Sequence, residues 1–240
     1  MKSAEREEVP SGHHSPPRAV RKRQAIVGAA TQLFLANGYS RTTMDDVAAL
    51  ARVSKQTVYM HFGDKERLVT EIVMAMLTAV GDPVDDETHR LGESDDLATD
   101  LQNHARRQLN AVLQPQPMQL RRLVIAEATT LPALGRAFYE LGPERTINEL
   151  ANAFQRLGQR GKIRTTDPHL AASHFNWLVM SDPLNRAMLL GDQEPPEPEV
   201  IDRLARNAVQ TFLAAYASTE NQRQPKATNT DYSNRPTLPD

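Results

Sequence analysis

Apolar residues recur at intervals of three and four along the middle of this chain, in segments separated by many of its 16 prolines. That spacing puts the apolar side chains on one face of an α-helix, whereas a half-buried strand requires an alternation that persists nowhere in the sequence. Only 5% of the 240 residues are aromatic and only 11 are glycines, which is few for an all-β protein with many turns. The sequence therefore predicts an all-α fold.

About nine helices are expected from the apolar faces, the capping residues and the prolines. The predicted segments are 18–37, 43–51, 54–61, one that begins after Asp64, 95–113, 117–130, 132–141, 143–160, 168–190 and 198–217. Proline removes a helix hydrogen bond and clashes with the preceding turn, so Pro143 and Pro183 are expected to split or kink the helices around them. The two ends, 1–17 and 219–240, are polar and proline-rich, and both are predicted to be disordered tails.

Positive charge is concentrated in one part of the chain. Residues 18–65 carry eight Lys and Arg against three Asp, a net charge of +5, while the whole chain has a net charge of −2. Such a basic segment on an acidic body is typical of a module that faces a polyanion. Taken alone, the pattern is equally compatible with ordinary variation of charge along a surface.

Several classes of protein are excluded or disfavoured. The chain has no Cys, which excludes disulfides, cysteine zinc sites and thiol catalysis. It has neither an apolar run of about 20 residues, as a membrane span requires, nor a secretory signal, so we expect a cytoplasmic protein without membrane contact. None of the seven His follows a Glu at the Glu-x-x-His spacing of helical di-iron sites, and only Asp86-x-x-His89 comes near. We therefore predict no catalytic residues, metal or cofactor, and a helical-bundle enzyme is the least favoured interpretation.

The two short helices 43–51 and 54–61 form a helix-turn-helix pattern behind a longer amphipathic helix. The major groove of B-DNA is about 12 Å wide and admits one helix, so the second helix must protrude while the others brace it. Val58 and Phe62 are spaced to face inward. The side chains left facing outward are all capable of hydrogen bonding: Lys55, Gln56, Thr57, Tyr59 and His61. No acid that would repel phosphate occurs from Ser54 to Gly63.

At this point the residues resemble a known family. The run from Thr43 to Leu68, TMDDVAALARVSKQTVYMHFGDKERL, and the preceding AATQLFLANGYSRTT resemble the DNA-binding motif of the tetracycline-repressor (TetR/AcrR) family. The resemblance covers about residues 20–70. One departure is Arg52, where the family often has glycine in the turn. Arginine there either bears a left-handed strain of about 1 kcal/mol or tightens the turn differently, and it adds a candidate phosphate contact.

The resemblance implies a set of contacts with double-stranded operator DNA. Thr43 and Lys65 would contact phosphate, and Lys55, Gln56 and Thr57 in the first turn of the second helix would reach base edges. Tyr59 and His61 would contact phosphate or base, with packing as the alternative. Arg21 and Arg23, together with Lys22, would form an arm toward the minor groove or backbone, or else a solvated cluster. For Lys65 the alternative is likewise a solvated side chain.

A second resemblance concerns the rest of the chain. The stretches 174–190 and 136–143 are similar to the C-terminal domains of an AefR-like subgroup of the family. This implies a helix-turn-helix DNA-binding domain at 18–65 and a domain for ligand sensing and dimerisation at 66–218. The last two helices would form a homodimer through His174, Leu178, Leu204, Phe212, Leu213 and Tyr216. A pocket would be lined by Met118, Phe138, Phe154, Phe175 and Trp177, although such residues are also ordinary core filler.

The function predicted from these features is a ligand-responsive transcriptional regulator, a repressor that a small, mostly apolar molecule releases from its operator. The ligand would favour a dimer conformation with a different spacing of the recognition helices, and the fourth helix would transmit the change. The alternative is a helical regulator that binds proteins and not DNA.

Overall fold

The computed structural model describes residues 18–190 and 194–218, without the side chains of 82–87 and 89. The tails predicted at 1–17 and 219–240 lie outside the described residues. Within the described chain the regular structure is helical, with a single isolated β-bridge between Ile163 and Ala217. The predicted all-α fold is confirmed. No helix in the described ranges is both long enough and apolar enough to span a membrane.

The described residues form ten α-helices and one π-helical turn. Their bounds are α1 Arg18–Asn37, α2 Met44–Leu50, α3 Lys55–Phe62, α4 Lys65–Leu91, α5 Leu97–Val112, α6 Pro115–Glu127, α7 Pro132–Tyr139, the π-helical turn Glu140–Glu144, α8 Arg145–Gln159, α9 Pro168–Leu190 and α10 Pro198–Tyr216. Because α7, the π-helical turn and α8 run on without interruption, these elements amount to nine continuous helical rods in the part of the chain described.

The two internal prolines have different effects. Pro143 lies inside the π-helical turn between α7 and α8, where the wider turn accommodates a residue that has no N–H to donate. Pro183 lies inside α9, which continues unbroken from Pro168 to Leu190. The expected split is therefore wrong at Pro183. That residue is buried, and packing of α9 against its neighbours holds the helix together across the missing hydrogen bond.

Two hydrophobic clusters make up the interior. The first, which we call the DNA-side cluster, contains the inner faces of α1–α3 and the first half of α4, and also buried residues of α6 and α7 such as Leu123 and Phe138. The second, the body cluster, joins α5, α8, α9 and α10 with Leu91 at the end of α4. Two helices contribute buried residues to both clusters: α4, with Leu68 in the DNA-side cluster and Leu91 in the body cluster, and α6, with Leu123 in the DNA-side cluster and Met118 in the body cluster.

Candidate DNA-binding and effector sites

The start of α2 is fixed by a capping box. Thr43 is the N-cap residue, and its hydroxyl accepts from the backbone N–H of Asp46 at 3.2 Å while its own N–H donates to the Asp46 carboxylate at 3.0 Å. The hydrogen bonds from the side chain and backbone of Thr43 lower the pKa of Asp46. Thr43 itself is exposed. Its hydroxyl thus lies on the surface at a helix N-terminus, a position that favours phosphate.

The turn between α2 and α3 has a left-handed residue. Arg52 has φ +54°, and no other residue of the described chain apart from glycines has a positive φ. The N–H of Arg52 donates to the carbonyl of Ala49 and that of Val53 to the carbonyl of Ala48, the two bonds of a Schellman motif. Of the two outcomes expected at this position, the left-handed strain is therefore the one realised.

Replacing Arg52 by glycine is expected to raise the free energy of unfolding by about 1 kcal/mol, because glycine adopts the left-handed conformation without a Cβ clash. Urea denaturation measures the change. Arg52→Ala is the matched control, since it removes the guanidinium and keeps the Cβ, and it should give no such gain. Equal stability of the glycine and alanine variants would contradict the strain.

The third helix is braced from inside and exposed outside, as predicted. Val58 and Phe62 are buried in the DNA-side cluster. Lys55, Gln56 and Tyr59 are exposed, and Thr57 and His61 are half-buried. Sequence reasoning missed Met60, which lies 75% exposed on the same helix. A methionine at this position can supply the apolar contact that thymine methyl groups favour.

Lys55 is paired with an acid of α2. Its Nζ lies 2.9 Å from Asp45 Oδ1 and 3.0 Å from Asp45 Oδ2, and this hydrogen-bonded contact raises the pKa of Lys55. Both side chains are more than half exposed. In the DNA-free protein Lys55 is therefore held in place by Asp45, and a phosphate or a base would have to compete with that carboxylate.

Replacing Asp45 by asparagine is expected to raise affinity for DNA by about three- to tenfold, since Lys55 is freed and one acid facing the phosphates is removed. Fluorescence anisotropy with a labelled operator fragment measures the affinity. Glu199→Gln, at an exposed acid in the first turn of α10, is the control and should leave affinity unchanged. An unaltered affinity in the Asp45 variant would mean that Lys55 does not contact DNA.

Lys65 joins the start of α4 to the loop before α2. Its Nζ donates to the carbonyls of Tyr39 and Thr42, each at 3.1 Å, and lies 4.1 Å from the centre of the Tyr39 ring. The lysine is therefore not simply solvated: two of its three N–H donors are used within the loop, and a phosphate contact through the third stays a prediction. It holds the loop that leads into Thr43, so it positions the capped end of α2.

The basic cluster of α1 divides into two parts. Arg23 forms an ion pair with Glu71 of α4, and its guanidinium carbon lies 5.4 Å from the centre of the Phe62 ring. Arg21 is exposed and makes no ion pair within the described residues. Arg23 therefore ties α1 to α3 and α4, and for Arg21 the arm toward DNA stays a prediction.

A cavity of about 90 Å³ lies between α4, α5, α6, the α7–α8 connection and α9. Among the predicted pocket residues, Phe138 and Trp177 line it. Met118, Phe154 and Phe175 do not line it and are fully enclosed in the body cluster. Phe154 and Phe175 pack on each other and on Phe212, with ring centres 5.0 to 6.0 Å apart, so these aromatic side chains fill the interior.

Five polar residues that sequence reasoning missed also line the cavity: Gln108 of α5, Arg121 of α6, Arg145 and Thr146 of α8, and Asn176 of α9. Gln108 and Asn176 are both buried, and the Gln108 amide donates to Asn176 Oδ1 at 2.7 Å. No sequence pattern marks these residues, because they lie on four different helices.

The predicted dimer residues occupy α9 and α10. His174 is exposed and its Nδ1 lies 2.6 Å from the Tyr216 hydroxyl, while Leu204, Leu213 and Tyr216 are partly buried. Phe212 is wrongly assigned, because it is fully buried among Phe154, Phe175 and Tyr216 within one chain and offers no surface to a partner.

The exposed apolar residues of α9 extend further than predicted. Leu170, Trp177 and Leu178 are 48%, 41% and 39% exposed. Leu189 and Leu190 at the end of the helix are also exposed. We call the surface formed by Leu170, His174, Trp177 and Leu178 the α9 face.

Two family models match the chain. The model described as tetR-family bacterial regulatory proteins matches residues 26–72, and the model for the C-terminal domain of AefR-like transcriptional repressors matches residues 99–218. The chain is 27% identical over 184 residues to the HTH-type transcriptional regulator YhgD of Bacillus subtilis, covering 72% of this chain and 93% of that protein.

Solved structures agree with these matches. A TetR-family transcriptional regulator of Mesorhizobium loti is 40% identical with a TM-score of 0.78, over 84% of this chain and all of that one. The flavonoid-responsive regulator FrrA is 32% identical with a TM-score of 0.70, over 82% of this chain and 98% of that one. With a helix-turn-helix on a braced basic module and a cavity in the helical body behind it, this chain belongs to the TetR family of transcriptional regulators.

Proposed function

We propose that this protein is a repressor that binds operator DNA as a homodimer and is released by a small, mostly apolar molecule. The observation that carries the proposal is α3, where Lys55, Gln56 and Tyr59 are exposed on a helix whose inner side is fixed by Val58 and Phe62. A helix of this kind fits the major groove, and its first turn is the part that reaches base edges. Because operator DNA lies in the cytoplasm, the protein would act there.

The contact residues are assigned roles that suit their chemistry and their exposure. Gln56 would pair with adenine and Lys55 with guanine or phosphate, while Tyr59 and His61 would contact the backbone beside them. The exposed hydroxyl of Thr43 and the amides at the start of α2 would bind phosphate. Arg21 would reach the backbone or the minor groove.

The functional division would fall near residue 65, with DNA binding in 18–65 and sensing and dimerisation in 66–218. The continuous helix α4 crosses that division. Its first half packs Leu68 and Ile72 in the DNA-side cluster, and its middle presents Met76 and Leu77 to the cavity. A ligand that widens the cavity would displace this helix and thus change the spacing of the two recognition helices.

A modest difference in affinity would be enough for this switch. A ligand that binds the displaced conformation about 10²-fold more tightly contributes about 2.7 kcal/mol to the change. The cavity volume of about 90 Å³ has room for several water molecules only, so a larger effector would require the helices around the cavity to move apart.

Two observations support an apolar, ring-containing effector. The cavity wall is mostly apolar, and the aromatic rings of Phe138 and Trp177 belong to it. FrrA, which is 32% identical, is a flavonoid-responsive regulator. Trp177 also lies on the α9 face, which we propose as part of the dimer interface with α10. A ligand against Trp177 would therefore act close to the contact between the two protomers.

The experiment that tests the proposal starts with operator fragments selected by the protein from genomic DNA. Gln56→Ala is expected to relax the preference at one base pair, at a cost of about 1–3 kcal/mol. Lys65→Ala is expected to weaken binding to all sequences and to lower the salt dependence by about one phosphate contact.

Lys65→Arg serves as the control for a structural effect of Lys65, because arginine keeps the charge next to Tyr39 and Thr42. Thermal unfolding of each variant separates a loss of folding from a loss of contact. If binding were weak and insensitive to salt, or if both alanine variants bound DNA like the parent protein, the chain would be a regulator that binds proteins instead.

A further inference from the structure

The cavity contains an acceptor without a donor. Gln108 and Asn176 are buried, and the single bond between them uses the amide nitrogen of Gln108 and Oδ1 of Asn176. The Oε1 atom of Gln108 is inaccessible to solvent and has no hydrogen-bond partner among the described residues. Buried polar atoms in folded proteins are almost always paired. Gln108 lines the cavity, so widening of the cavity by a bound molecule would open Oε1 to a hydroxyl group of that molecule as its donor.

The cavity also contains a cation without an acid. The guanidinium carbon of Arg121 lies 5.0 Å from the centre of the Phe138 ring, and no carboxylate of the described residues forms an ion pair with it. Burial lowers the pKa of Arg121 without any opposing effect from an acid. A guanidinium nevertheless stays protonated in proteins, and it binds carboxylates with two parallel hydrogen bonds. A half-buried charge of this kind favours a ligand that brings the opposite charge.

The rest of the lining is mostly apolar, apart from Arg145 and Thr146 at the start of α8, and the space is small. Leu77, Leu120, Leu141 and Met180 contribute aliphatic surface beside Phe138. A cavity that holds benzene has a volume of about 150 Å³, so at about 90 Å³ a molecule with a single ring needs less widening of the cavity than a larger one. We propose that the cavity binds small phenolic acids, with the carboxylate on Arg121, the phenolic hydroxyl donating to Gln108 and the ring against the apolar wall. This inference rests on the proposed function, in which the cavity is the effector site.

The test uses 4-hydroxybenzoate and two probes that each lack one group. Binding to the full chain is measured by titration calorimetry. 4-Hydroxybenzamide keeps the ring and hydroxyl but carries no charge, and benzoate keeps the charge but has no hydroxyl. Each is expected to bind about tenfold or more weakly than 4-hydroxybenzoate. Equal binding of the acid and the amide, or no saturable binding of 4-hydroxybenzoate, would overturn the assignment.

Variants assign each preference to its residue. Arg121→Gln is expected to remove the preference for the acid over the amide, and Gln108→Leu the preference for 4-hydroxybenzoate over benzoate. Arg136→Gln, at an exposed arginine of α7 outside the cavity lining, should change neither. Should Arg121→Gln fail to fold by circular dichroism, Arg121→Met replaces it, because methionine removes the charge and keeps an unbranched side chain beside Phe138, and loss of the tenfold preference is the same criterion. A retained preference in a folded variant would refute the role of Arg121.

Operator binding is measured in the same samples, so the two proposals can fail separately. If the protein binds operator DNA but no phenolic acid, the inference about the ligand fails and DNA binding stands. If 4-hydroxybenzoate binds with the expected preferences and operator affinity does not change, the chemistry of the cavity is supported, and release by this ligand is refuted.

Discussion

Replacing Leu178 by aspartate is expected to convert the dimer into monomers and to lower operator affinity by about 10²- to 10⁴-fold. Leu178 lies on the α9 face, 39% exposed, next to Trp177. A carboxylate there would be buried without a partner when two protomers meet, and such a charge opposes association strongly. Two recognition helices on one rigid dimer bind two half-sites together, and a monomer loses that gain.

The measurements are light scattering after size-exclusion chromatography and fluorescence anisotropy with the operator. Ile125→Asp is the matched control, since Ile125 is 58% exposed on α6 and lies outside the α9 face. This variant should remain dimeric and bind DNA normally. If Leu178→Asp also stays dimeric with unchanged affinity, the two protomers meet on another surface.

The DNA-binding module was predictable because its determinants are local. The capping box of Thr43 and Asp46, the Asn37-Gly38 stop of α1 and the inward spacing of Val58 and Phe62 are each visible within a few residues of sequence. Local hydrogen bonds and the spacing of apolar residues determine such elements, so they can be predicted without knowing the contacts between distant parts of the chain. The positive φ of Arg52 was also foreseen as one of two outcomes, since a tight turn here needs a left-handed residue.

The lining of the cavity was predicted less well, because its composition depends on packing between distant helices. Phe154 and Phe175 are aromatic like Phe138, and only their mutual contacts show that they fill the core. Gln108 and Arg121 look like ordinary polar positions of amphipathic helices. Which face of α5 or α6 turns toward the cavity is set by the other helices, and no spacing in the sequence records it.

The dependence on packing between distant helices also explains why Pro143 and Pro183 have different effects on their helices. A proline in the interior of a helical segment predicts a disturbed helix, because its effect on the backbone is local. At Pro143, in the cavity wall, the outcome is a π-helical turn. At Pro183, a buried residue of α9, the helix continues unbroken. The surrounding structure selects between these outcomes.

The second large effect expected is a dependence of stability on pH that is due to His104. This residue of α5 is buried, its Nδ1 lies 3.1 Å from the Thr88 hydroxyl, and its Nε2 has no hydrogen-bond partner. Its ring centre lies 6.0 Å from that of Phe175. Burial lowers the pKa of His104 from 6.5 to about 4. The charged residues Arg90, Asp100 and Arg107 line the same surface depression as His104.

Because the pKa is lower in the folded protein, the unfolded chain takes up a proton between pH 6.5 and 4 that the folded protein does not. Stability is therefore unaffected by His104 above pH 6.5 and falls as the pH decreases toward 4, by about 3 kcal/mol in total for a pKa difference of this size. Urea denaturation at several pH values between 7 and 4 measures the decline.

His104→Gln keeps a polar side chain beside Thr88 but cannot titrate, so relative to the parent protein its free energy of unfolding should gain about 3 kcal/mol over the same range. His169→Gln, at an exposed histidine of α9, should leave the decline unchanged. If the parent protein and His104→Gln lose stability in parallel, His104 is protonated in the folded state, and its burial does not exclude the charge.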